Sequence, residues 1–147
     1  MSADIAQVLD RKGEPYAVAL CAPVCPEVLI EVDWKNAHLG VWFSDAEGRR
    51  DLHYAFTRID GTWLFLAEVT LWTYPEGAVF PFEASVVETI SFREDGRVKQ
   101  AIDDSSADSV KVFEYSGVPV HTNWEPVPAF GDWTSVARRD RRLNPES

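Results

Sequence analysis

The sequence predicts an α+β domain: a single curved, mainly antiparallel β-sheet of about seven strands, flanked by an N-terminal and a C-terminal helix. Three observations lead there. From Glu27 onward, β-branched and aromatic residues alternate and turn residues recur at short intervals. Two Asp-Gly pairs, Asp60-Gly61 and Asp95-Gly96, fall between such runs as hairpin signals. No helical pattern separates any two runs, so a parallel sheet lacks its crossover helices and an antiparallel meander is the economical arrangement.

The elements follow in chain order. Ser2 is placed to cap a short helix ending at Gly13, with Ile5, Val8 and Leu9 on one face to cover a sheet. Strands are expected at 27–34, 38–44, 51–59, 62–73, 84–93, 97–103 and 109–116. The run from Trp63 to Trp72 is apolar on both faces in its first half and reads as central. Its odd positions, Trp63, Phe65, Ala67, Val69 and Leu71, are expected on the main core face with Leu52, Tyr54 and Phe56. After Pro126 and Pro128, Asp132 is placed to cap a final helix from Trp133 to about Arg142, burying Trp133, Val136 and Ala137. A chain of 147 residues has material for one such domain.

Composition narrows the function. The formal charge is −10, and it is uneven: residues 1–130 carry 21 acids and 10 bases, whereas 131–147 carry 3 acids and 4 bases. Such a surface repels phosphate backbones and anionic headgroups, so neither nucleic acid nor a membrane is expected as partner. The N-terminus has neither the basic start nor the apolar run of a signal peptide, which makes a cytoplasmic location the expectation.

Motifs of catalysis are not evident. The chain has no Gly-x-Ser-x-Gly, no His-Glu-x-x-His, no Gly-rich phosphate loop and no dinucleotide fingerprint, so no catalytic residue and no cofactor are assigned. Cys21 and Cys25 are four apart, a poor match to zinc or thiol-redox spacing even with His38, His53 or His121 as further ligands. Small buried thiols are the expectation there. His38, His53 and His121 fall on separate strands or loops and read as polar side chains rather than general bases.

The acidic residues carry more. Strand alternation sets Glu27, Leu29, Glu31 and Asp33 on one face, against Val28, Ile30, Val32 and Trp34. The resulting carboxylate stripe is either a solvated face or a docking strip whose field steers a basic protein. Asp103, Asp104 and Asp108 form a second acidic stretch that lacks the Gly and Glu of an EF-hand loop. Of six tryptophans, Trp42 and Trp72 are expected off the main core face, where a tryptophan serves as an interface anchor. The candidate partner contacts are thus Glu27, Glu31, Asp33, Trp42, Asp103, Asp104 and Asp108.

The hairpin from Tyr54 to Trp63 and the closing run from Pro128 to Arg138, Pro-Ala-Phe-Gly-Asp-Trp-Thr-Ser-Val-Ala-Arg-Arg, are a second line of evidence. With the dense aromatic strands, they resemble small acidic immunity proteins of bacterial polymorphic-toxin systems, over about the latter two-thirds of the chain. That resemblance implies a cytoplasmic inhibitor of one cognate toxin domain, without catalytic residues; members bind by different faces, so it carries no binding residue over. The same hairpin style occurs in cone-shaped α+β domains that bind small ligands. The leading expectation is a non-catalytic binding protein for a basic partner, with self-association open. The alternative is a ligand-binding or enzymatic domain whose pocket, between sheet and helix, is lined by His53, Tyr54 and Trp63.

Overall fold

The computed structural model describes residues 2–20, 28–78 and 83–141. Cys21, Cys25, Glu27 and Arg142 lie outside the described residues, so the expectations placed on them stay there. The described residues form helix α1 (Ala3–Lys12) and nine strands: β1 (Tyr16–Leu20), β2 (Val28–Asp33), β3 (His38–Ser44), β4 (Arg50–Ile59), β5 (Trp63–Thr73), β6 (Val86–Phe92), β7 (Val98–Asp104), β8 (Lys111–Tyr115) and β9 (Trp124–Pro126). β1 to β8 make one antiparallel meander in sequence order. β9 pairs with Trp63–Phe65 of β5, on the edge that β6 occupies from Glu68 to Thr73. Between them Asn123 fills the break: its buried side-chain amide donates to the Leu66 carbonyl at 2.9 Å.

The seven expected runs are β2 to β8, and two further strands, β1 and β9, join them. β1 is Tyr-Ala-Val-Ala-Leu, whose alanines mute the strand signal, and β9 is three residues closed by a proline. Both Asp-Gly pairs form hairpins. Asp60 and Gly61 take positive φ, 49° and 82°, and join β4 to β5. At the β6–β7 turn, Gly96 (φ 88°) closes a loop spanned by Arg93 N–H to Arg97 O at 2.9 Å.

One sheet face is the core. Its rows run Tyr16, Val32, Leu39, Phe56, Leu66 and then Val18, Ile30, Val41, Tyr54, Val69, Ile90, each residue directly opposite the next. Ile30, Leu39, Val41, Phe56 and Leu66 are fully buried. β5 departs from the expected alternation. The register slips between Ala55 and Phe56, which leaves Ala67 as an extra residue and brings Leu66, not Phe65 or Ala67, opposite Phe56. Val69 and Leu71 therefore sit on the core face as expected, whereas Trp63 is exposed and Phe65 is buried on the other side against Trp124, 4.9 Å between rings.

Helix α1 begins at Ser2, whose hydroxyl accepts the Ile5 N–H at 3.3 Å, and stops at Gly13 in the left-handed region (φ 71°). It buries Ala6 and packs Leu9 on the core; Ile5 and Val8, expected on that face, are exposed. Asp10 ties the helix down by accepting the Tyr16 hydroxyl at 2.6 Å and the Trp34 indole N–H at 2.8 Å. Burial, with the Asp10 hydrogen bond and charge adding to it, pushes the Tyr16 phenol far above its ordinary pKa.

The expected C-terminal helix is absent from residues 133–141, which make a single turn (Ala137 N–H to Trp133 O, 2.9 Å) and then run irregularly over the core face. Trp133 and Val136 are buried as expected. The arginines explain the difference, because each is drawn to the sheet instead of lying along a helix. Arg139 forks onto Asp51 at 2.7 and 2.9 Å, and Arg141, 1% exposed, reaches Glu125 at 2.5 Å. Tertiary contacts here override local helix propensity.

Candidate functional site

Strand pairing places another set of residues on the opposite face. One row is Leu29, Trp42, His53, Thr70, Thr89; the row beside it is Glu31, Gly40, Ala55, Glu68, Ser91. Position 42 is where the two rows meet chemically. The Trp42 ring lies 4.1 Å from the His53 ring and 5.6 Å from Trp72, nearly parallel to it (28°). Its indole N–H donates to the Glu31 carboxylate. A second bulge adds the cation: the register slips between Phe43 and Ser44, Arg50 pairs with Ser44, and its guanidinium comes to rest 4.7 Å over Trp42. The extra residue, Asp51, turns to Arg139.

Gly40 lets two histidines converge. A Cβ built there would stand 3.0 Å from His53 Nε2 and 3.1 Å from His38 Nε2, so the imidazoles occupy the space that any side chain at 40 would need. Burial lowers the His53 pKa to about 4; repulsion from His38 and Arg50 adds to that and Glu31 opposes it. His53 is therefore neutral at pH 7. The arrangement offers stacking surface, two imidazoles and the exposed carboxylates Glu31 and Glu68. Among the described residues no three His, Cys, Asp or Glu side chains gather as a metal centre requires.

The sequence-derived contacts divide. Glu31 and Trp42 are brought together by a hydrogen bond, and Trp42 and Trp72 lie off the core face as expected. Asp33 is half-buried at the end of β2; its Oδ2 accepts from Asn36 at 2.7 Å and its Oδ1 is buried without a partner. Asp103 and Asp108 are exposed, and Asp104 holds a turn by accepting the Ser106 N–H at 2.9 Å and hydroxyl at 2.7 Å. Those bonds hold the Asp104 carboxyl below its ordinary pKa. Five strand spacings separate β2 from β7, roughly 24 Å, so the two acidic stretches are not one patch.

The pocket expected from His53, Tyr54 and Trp63 does not form from those three. Tyr54 is buried in the core and donates to Arg139 O at 2.5 Å, His53 faces the other way, and Trp63 is exposed. A cleft of about 580 Å³ lies instead at the far end of the sheet, among Arg93, Arg97, Lys99, Glu114 and Tyr115. Sequence reasoning weighed His38 only as a metal ligand or a plain polar side chain, and missed Arg50 and Glu68. His38, Gly40 and Trp42 share a face by period two, a signal available in advance; Arg50 depends on a bulge, which is not. No family model, no curated protein and no solved structure matches the chain.

Proposed function

We propose that this chain is a non-catalytic protein-binding domain, an immunity-type cytoplasmic inhibitor that covers a basic toxin or enzyme domain with the face bearing Glu31 and Trp42. The observation that carries the reading is the exposed Glu31 carboxylate held by the Trp42 indole N–H. A carboxylate already fixed over an aromatic cluster loses little freedom when it meets a cation, and truncating such anchors usually costs an interface most. The net charge of −10 favours a basic protein over nucleic acid or an anionic membrane. No described helix is long and apolar enough to cross a membrane.

The test is a pull-down from source-cell lysate, eluted by a salt gradient, with wild-type and Glu31→Lys chains as parallel baits. The reading expects one basic protein that leaves the variant at lower salt than the wild type. Equal elution from both baits, or an empty wild-type column when the partner is known to be expressed, overturns it.

A further inference from the structure

Gly40 lies in the middle of β3, paired with Glu31 on one side and Ala55 on the other, with no bulge at that step of either ladder. A glycine inside a strand weakens it, and neither a turn nor a positive φ calls for one here. What its missing side chain leaves is room. Gly40 is buried beneath two imidazoles that arrive tip first, His38 from two positions back on its own strand and His53 from β4, two positions before Ala55. Their Nε2 atoms stand 3.1 and 3.0 Å from one point over the Gly40 Cα, nearer to it than any other atom of either ring. Both rings are half-buried, and among the described residues neither is held by a hydrogen bond.

We propose that His38 and His53 together bind one divalent transition-metal ion of the kind that favours imidazole, such as zinc or nickel, through their Nε2 atoms above Gly40. Coordination needs each nitrogen about 2.0–2.1 Å from an ion that also clears the glycine, so each ring swings by about 1 Å from where it lies. Water fills the remaining positions. This is an open chelate, not the closed centre that three or four side chains build.

The charges nearby attract a cation. Glu31 stands beside Gly40, Glu68 lies two strands away in the same row, and Asp33 is opposite His38; Arg50, over Trp42, opposes them. Two unrelated surface histidines would each bind such an ion weakly and separately. A joint site differs from that in one respect, its dependence on the empty position at 40.

The test is calorimetric titration of the purified full chain with ZnCl₂ at pH 7, with MgCl₂, which favours oxygen ligands, as the control. No partner is present, so the outcome is independent of the proposed inhibitor reading. The expected result is one Zn²⁺ per chain, weakened at least about tenfold by His38→Asn and by Gly40→Val, which keeps both histidines but fills the space between their tips. Valine suits a strand, and the urea midpoint of each variant checks the fold. Cys21→Ser with Cys25→Ser leaves the binding unchanged, which excludes a thiol site. NMR of the wild-type chain gives a measure that needs no variant: the ring signals of His38 and His53 shift together as Zn²⁺ is added, and those of His121 do not. No binding, an adventitious ion held as tightly by folded Gly40→Val, loss in the cysteine variant, or ring signals of one histidine shifting alone overturns the proposal.

Discussion

The Trp42 indole and the His53 imidazole lie 4.1 Å apart on directly opposed positions of β3 and β4. Stacking there takes the imidazole out of water and so disfavours its cation. An unfolded chain regains an ordinary His pKa near 6.5, whereas His53 in the fold titrates at about 4. Between those values the unfolded state binds the extra proton, so stability rises with pH through that window and is complete above it. After discounting for its solvent-exposed edge, the loss on falling to pH 4 is about 2 kcal/mol. Urea unfolding at pH 7 and pH 4 checks this, and His53→Gln removes that part of the dependence. An equal slope in the variant contradicts it.

Glu125 holds Arg138 and the buried Arg141 together, and Arg141 also donates to Ser135 O and Thr122 O, each at 3.2 Å. Glu125→Ala leaves Arg141 without its counter-charge in the interior and costs about 3–5 kcal/mol. The pair Glu125→Met with Arg141→Met, which removes both charges, costs less than Glu125→Ala alone. Chemical denaturation of the variants decides it.

Two glycines with similar backbone angles respond differently to alanine. At Gly61 (φ 82°) an added methyl meets nothing within 4 Å, so only left-handed strain remains, about 1 kcal/mol. At Gly96 (φ 88°) it stands 2.9 Å from the Val118 carbonyl oxygen, which is backbone and cannot rotate away. Gly96→Ala therefore costs at least about 2 kcal/mol more than Gly61→Ala. Equal urea midpoints for the two variants would refute the assignment.

If the proposed basic partner docks on this face, Glu31→Lys slows association with it about fivefold and flattens the salt dependence, while leaving the thermal midpoint near wild type. Stopped-flow binding at two ionic strengths measures both. Asp33 is a poorer probe, because its buried Oδ1 ties charge reversal to folding.

The meander was legible because β2 to β8 carry β-branched or aromatic residues at period two and the Asp-Gly turns fix two hairpins. Where the chain leaves that period, the sequence is mute. Ala67 and Asp51, the two extra residues, have nothing in their chemistry that marks a bulge, yet one turns Leu64 and Leu66 inward and the other sets Arg50 over Trp42. Asp132, Trp133, Val136 and Ala137 spell a helix locally, and distant partners of the arginines undo it. Glu31 and Trp42 were visible singly; their meeting depended on the register that opposes Gly40 to Glu31.

The lid over the core face comes from residues that follow every long strand, with Trp133 and Val136 buried against β-sheet positions made much earlier. Synthesis on the ribosome therefore presents Ile30, Leu39, Val41 and Phe56 before the part of their cover that Trp133 and Val136 supply exists. For that interval the nascent sheet exposes apolar surface of the kind that makes folding intermediates prone to aggregate.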